Sequence, residues 1–237
     1  MGRWMMLLVL IACALGCRDE QEAEGRAGPG QIAREVTQPP AAGGQASPEE
    51  VARLIAQLES SQYSQRVSAA LRLGDSGAPE AAAALLAALR EECALTDHEV
   101  ATRSMEGPGL SPVVASGFLK GAYQTALWKL GPEVRDQVQA ELGAASDEMR
   151  AWLTVVLGYL GDQEQFGLLT RLVLTNPDGF VREAAARALG HLGRDEAVPV
   201  LREALNDAFV VQMDDVRIPL VREAARAALK QLGASQE

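Results

Sequence analysis

The sequence predicts an all-α fold, an α-solenoid of about five stacked helical hairpins, and three observations predict it. Hydrophobic residues make up 48% of the 237-residue chain while aromatics make up only 4%, so any core must be built from Ala, Leu and Val. Ala and Leu are strong helix formers, and small side chains let helices approach closely. A segment then recurs along the chain: Val181-Arg-Glu-Ala-Ala-Ala-Arg-Ala-Leu-Gly-His-Leu-Gly193 returns nearly intact as Val221 to Gly233. Within it Val181, Ala184, Ala185, Ala188, Leu189 and Leu192 form one apolar stripe at helical spacing.

The chain opens with Met1-Gly2-Arg3, an apolar run from Trp4 to Leu15, then Gly16-Cys17 and the charged Arg18-Asp19-Glu20. A run this short matches an export signal, whereas a membrane span needs about 20 residues. Ala14-Leu15-Gly16-Cys17 resembles the bacterial lipobox, with Ala14 where the pattern prefers Leu, Val or Ile. Leu10-Ile11-Ala12-Cys13 fits letter by letter but leaves a very short signal and an apolar stub. The reading adopted is a signal peptide over 1–16 and lipidation at Cys17. The resemblance implies several acyl chains there, enough for stable anchoring, and places the protein at a bacterial cell envelope, periplasmic or surface-facing.

Residues 17–46 form the expected tether. Arg18 to Ala46 has no aromatic residue and few aliphatics, so it buries too little apolar surface to offset the entropy of ordering. Its typical reach is roughly 30 Å. Order is expected over 47–237, opening at Ser47-Pro48-Glu49-Glu50. There Ser47 is the N-cap, Pro48 takes the first helical position and Glu50 completes a capping box. Val51, Leu54, Ile55 and Leu58 follow on one helical face.

Looser copies of the repeat run from Gln65 to Gly77, Leu119 to Gly131 and Met149 to Gly161. Aligned with the two close copies, they give three columns. One is Leu73, Leu127, Leu157, Leu189 and Leu229. A second is Gly77, Gly131, Gly161, Gly193 and Gly233, each placed to close a helix in the left-handed conformation. The third is basic: Arg66, Lys120, Arg150, Arg182 and Arg222. A second apolar helix follows each internal glycine, with Pro79, Pro132 and Pro199 near its start. This helix–turn–helix unit resembles the bacterial HEAT-like repeat, also found in phycobilin lyases, over about residues 48–233. A lone helix at 48–60 and a lone first helix ending at Gly233 are expected to cap the array.

The basic column is expected to be a structural ladder, its cations bonded to carboxylates or helix-end carbonyls of neighbouring repeats. Cys93 is expected to be a buried thiol, His98 a solvated loop residue, His191 a helix-end residue, and Trp128 and Trp152 core residues. No catalytic residue, metal site or cofactor is expected. Gly107-Pro108-Gly109 and Ser116-Gly117 lack the lysine and hydroxyl of a phosphate loop, and no nucleophile elbow or spaced Cys–His pair occurs.

Two stretches lengthen the repeat, at about 93–111 and 207–217, and insertions in repeat proteins gather on one face. Phe209, Val211, Met213, Asp214 and Asp215 of the second are the expected partner-binding residues, apolar side chains among acids. Folding back over the open end of the array is the other role for this segment. A net charge of −10 disfavours nucleic acid. The expected function is a membrane-tethered envelope scaffold binding an unknown protein or peptide. A lyase-like enzyme of the HEAT-repeat class and a self-assembling structural envelope protein are the alternatives.

Overall fold

The computed structural model describes residues 46–102, 111–213 and 215–234, without the side chains of Asp97, Ala101, Thr102 and Met213. The export segment, Cys13, Cys17, the tether before Ala46, Gly107-Pro108-Gly109 and Asp214 lie outside the described residues.

Helix α1 (Pro48–Gln57) stands alone, followed by the hairpin of α2 (Tyr63–Asp75) and α3 (Ala82–Ala94). A short α4 (Asp97–Thr102) leads to three further hairpins: α5 (Pro112–Lys129) with α6 (Arg135–Glu141), α7 (Asp147–Tyr159) with α8 (Phe166–Thr175), and α9 (Gly179–Leu192) with α10 (Val198–Ala204). After two short strands, β1 (Val211–Met213) and β2 (Val216–Ile218), α11 (Leu220–Gln231) closes the described chain. The array is an all-α solenoid of four complete hairpins and a final first helix.

The repeat columns correspond to distinct structural jobs. Gly77, Gly131, Gly161, Gly193 and Gly233 all have positive φ, between 64° and 89°. Side-chain-bearing residues adopt that conformation only with strain, so glycine closes each first helix. Leu73, Leu127, Leu157, Leu189 and Leu229 are buried at 2% exposure or less. Behind each internal glycine a 3-10 turn starts the second helix, with Pro79 and Pro132 opening two of these turns. Three of the first helices also begin on capping side chains. Ser111, Ser146 and Asp178 accept hydrogen bonds from the N–H groups of Val114, Met149 and Phe180.

Two local expectations need correction. Ser47 Oγ accepts from the Glu50 N–H at 3.2 Å, but the Glu50 carboxylate pairs with Arg72 of α2 and Arg53. Half of the capping box forms, and its acid ties the lone first helix to the array. The second insertion contains an antiparallel hairpin, with Val211 facing Ile218, Gln212 facing Arg217 and Met213 facing Val216. The alternating run Val211-Gln212-Met213 and Val216-Arg217-Ile218, split by Asp214-Asp215, carries that signal. Within the all-α frame this is the only strand pair among the described residues.

The stack curls tightly. Ten of the thirteen residues of α7 are buried, because α5 and α9 approach each other across it. Phe118 of α5 and Phe180 of α9 meet edge to face at 5.2 Å, and Trp128 meets His191 at the same separation. The first helices therefore line the inside of a curve.

Candidate functional site

Spacing along the inner face is set by a column of small residues. Placing a Cβ on Gly74 of α2 would bring it within 2.7 Å of the Ala126 Cα in α5. At Gly190 of α9 it would approach the Ala228 Cα of α11 to 2.9 Å, and at Gly158 of α7 the Ala188 Cβ of α9 to 3.2 Å. These three glycines occupy one repeat position, three residues before the closing glycine. In α5 that position is Trp128. Its indole cannot admit the same approach, and α5 packs on α7 less closely than α2 on α5 or α9 on α11. The ring reaches instead to Tyr159 at 5.4 Å and His191 at 5.2 Å, and those two rings lie 4.5 Å apart.

Beside this wedge lies a pocket of about 70 Å³ whose lining comes from first helices alone. Val67 and Leu71 of α2, Phe180 of α9 and Leu220 of α11 supply apolar walls. Gly117, Gly121, Gln124 and Thr125 of α5, with Trp152 and Tyr159 of α7, are also part of the lining. The two glycines differ. A Cβ at Gly117 would sit 2.2 Å from the Phe180 ring, whereas at Gly121 it would meet nothing within 4 Å.

Glu183 and Arg187 bring the only charges to this lining. They are one helical turn apart on α9 and form an ion pair, each side chain 14% exposed. Burial pushes the Glu183 carboxyl above its ordinary value, against the pull of Arg187. Burial likewise raises the Tyr159 hydroxyl, while the nearby Arg187 charge opposes the shift. Trp152 is 1% exposed, and its indole Nε1 has no hydrogen-bond partner among the described residues. Sequence reasoning placed Trp128 and Trp152 in the core and missed Gly121, Glu183 and Arg187. The signals available were a mid-helix glycine and an i, i+4 charge pair.

The basic column runs along the rim where the first helices begin. Arg66 is buried against Glu92 at 3.3 Å, inside its own hairpin. Lys120 donates to Glu148 of the next repeat at 2.5 Å and lies 3.7 Å from Asp178 of the one beyond. Burial would lower the Lys120 ammonium, but these carboxylates hold it above its ordinary value. Arg150, about half exposed, donates to the Leu142 and Ala145 carbonyls and to Asp147. Arg182 grips both Asp207 oxygens, at 2.7 and 3.1 Å, and the Asn176 carbonyl at 2.7 Å. Arg222 adds its charge to Asp207. Burial would raise the Asp207 carboxyl, yet Arg182, the Phe209 N–H and Arg222 hold it below the ordinary aspartate value. Leu142 and Asn176 end second helices of preceding hairpins, so Arg150 and Arg182 tie neighbouring repeats together.

In the second insertion Phe209 and Val211 turn inward. Val211 is 1% exposed, and Phe209 is half-buried against the core. The Phe209 ring packs edge to face on Phe180 at 5.2 Å, fills the space above Gly179, and lies 5.9 Å from the Arg182 guanidinium. Phe118, Phe180 and Phe209 thus form one aromatic row from α5 to the insertion. Asp215, Val216 and Arg217 are exposed; Asp214 and the Met213 side chain lie outside the described residues. In the first insertion, α4 carries an exposed His98, on a helix rather than the expected loop. Cys93 is buried, and burial pushes its thiol up to about 12.

Among the described residues no group of His, Cys, Asp and Glu is arranged to hold a metal, and no helix is long and apolar enough to cross a membrane. Residues 135–230, less than half of the chain, match HEAT repeats. No curated protein matches the sequence. Among solved structures, one similar chain comes from the complex of CpcE and CpcF of phycocyanin lyase from Nostoc sp. PCC7120. The likeness has 20% identity and a TM-score of 0.43, covering 97% of this chain and 75% of that one. At that level it carries no argument about this chain.

Proposed function

We propose that the chain is a binding scaffold whose HEAT-like solenoid takes a protein or peptide along its concave face, with the rim at Asp215 as its edge. The observation that supports this most directly is the pocket shared by α2, α5, α7, α9 and α11. Distant repeats converge on one apolar depression, and such convergence is how solenoids build extended binding surfaces. The pocket volume of about 70 Å³ is well below the roughly 300–1,000 Å³ of small-molecule sites. It suits one side chain of a larger partner.

The location proposed with this function is the envelope, through lipid on Cys17. Loss of fatty-acid labelling in Cys17→Ser, with labelling kept in Cys13→Ser, supports it; the opposite pattern assigns the anchor to Cys13.

Position-specific photocrosslinking tests the binding face. A photoreactive residue at Thr125, on the concave face, is expected to capture the partner in cells. One at Arg171, on the outer helix α8, is expected to capture nothing, and one at Asp215 reports on the rim. Crosslinks from Arg171 with none from Thr125 or Asp215 would put the binding surface on the other side of the solenoid.

A further inference from the structure

The pocket is lined by a repeated pattern. In α2, α5 and α9 the same two repeat positions face it: Val67 and Leu71, Gly121 and Thr125, Glu183 and Arg187. Their sum is uncharged, because Glu183 and Arg187 pair with each other. A carboxylate brought here would lie beside Glu183 and an ammonium beside Arg187, so neither sign gains. Such a pocket sorts its occupant by shape and by hydrogen bonding.

Gln124 supplies the hydrogen bonding. It lines the pocket and is 5% exposed, yet its side-chain amide makes no hydrogen bond among the described residues. Packing does not require an amide at this repeat position. In α2 and α9 it is alanine, the fully buried Ala70 and Ala186. In α7 it is Thr154, whose hydroxyl donates to the Arg150 carbonyl of its own helix at 2.9 Å. A buried amide left unpaired costs stability that an alanine there would not. Trp152, on the same lining, is 1% exposed, and its indole Nε1 is likewise without a partner among the described residues. An amide offers both donors and an acceptor. A group that satisfies it in one approach therefore carries an acceptor and a donor side by side. A carboxamide does; an alkyl group, a carboxylate or an ammonium does not.

We propose that the pocket seats the uncharged carboxamide of an asparagine side chain from the polypeptide on the concave face, paired in both directions with the Gln124 amide. The proposal rests on the concave-face reading above and gives that partner its chemistry. The ligand carbonyl accepts from Gln124 Nε2, and the ligand amide nitrogen donates to Gln124 Oε1. The volume of about 70 Å³ suits one short side chain.

Four peptide pools test this with the full chain, by fluorescence anisotropy. All are degenerate mixtures of Gly and Ser around one central residue, which is asparagine, aspartate, leucine or glycine. Aspartate and leucine match asparagine in shape but not in hydrogen bonding. The asparagine pool is expected to bind at least about tenfold more tightly than the others, with little dependence on salt. Gln124→Ala places the residue of the neighbouring repeats at this position. It is expected to melt no lower than the parent chain and to bring the asparagine pool down to the level of the glycine pool. A variant that melts well below the parent, or that keeps the asparagine preference, overturns the proposal. Equal binding of the asparagine and glycine pools, or of the asparagine and aspartate pools, overturns it too. Preference for leucine, lost when Thr125→Trp crowds the pocket, overturns the carboxamide assignment while leaving the concave-face reading standing. Binding of no pool also overturns the proposal, and crosslinking from Thr125 then judges the concave-face reading separately.

Discussion

Arg182→Ala tests how the rim is held. Arg182 donates to both oxygens of Asp207 and to the carbonyls of Asn176 and Pro177. It therefore ties the end of α8 to the second insertion. The two side chains are 15% and 13% exposed. That places the pair between an exposed ion pair, contributing about 0–1 kcal/mol, and a buried one, whose rupture costs about 3–5 kcal/mol. Removing the guanidinium leaves Asp207 with the Phe209 N–H and the Arg222 charge, so the loss is expected at about 2–3 kcal/mol. For a domain of this size that lowers Tm by about 5–10 °C. The assay is urea and thermal unfolding followed by circular dichroism, with Asp207→Ala and the double variant closing a cycle. Asp207 also gives a pH signature. Its folded value is depressed below the unfolded value of about 3.9. Its contribution is therefore complete above the unfolded value and is lost as pH falls through the folded one. That loss should be smaller in Arg182→Ala. Stability within about 0.5 kcal/mol of the parent, or a coupling near zero, would refute the ladder reasoning.

The other predictions concern the turns, the insertion and the thiol. Gly193→Ala, at φ 68°, is expected to cost about 1–2 kcal/mol from left-handed strain, measured by urea unfolding; no change would mean that the turn relaxes freely. Phe209→Ala should cost roughly half of the about 3–5 kcal/mol of a fully buried Phe, because the ring is only half-buried against Phe180 and Gly179. An unchanged melting temperature would show that this ring holds nothing down. Cys93, buried with its thiol pushed up to about 12, should resist alkylation at neutral pH until the chain unfolds; rapid labelling of native protein would count against the buried placement.

Much of the fold was legible because it is local and repeated. The closing glycines, the leucine column and the apolar stripe each follow from one helix turn or one helix face, and neighbouring residues determine both. Of the basic column, Arg150 and Arg182 start their helices beside the carbonyls that end the preceding helix, whereas Arg66 pairs inside its own hairpin, a difference the spacing alone does not carry. The hairpin was written in the alternation around Asp214-Asp215, although its short strands sit within a strongly helical pattern. What Phe209 and Val211 face was not legible, because apolar residues among acids read alike whether they point outward or in.

The sequence by itself determined that the chain forms helices in pairs, where each first helix stops and which stripe it buries. The tertiary structure decided the rest, because it depends on how closely distant helices approach. Gly74, Gly158 and Gly190 become contact points only when an alanine or leucine from another helix is brought against them. Trp128, one residue among many apolar ones in the sequence, becomes a wedge because glycine occupies its place in α2, α7 and α9. The pocket, its Glu183–Arg187 pair and the bare backbone at Gly121 meet across about 150 residues of sequence, from Val67 to Leu220. Curvature brings them together, and curvature accumulates from small differences in interhelix distance that no single repeat encodes.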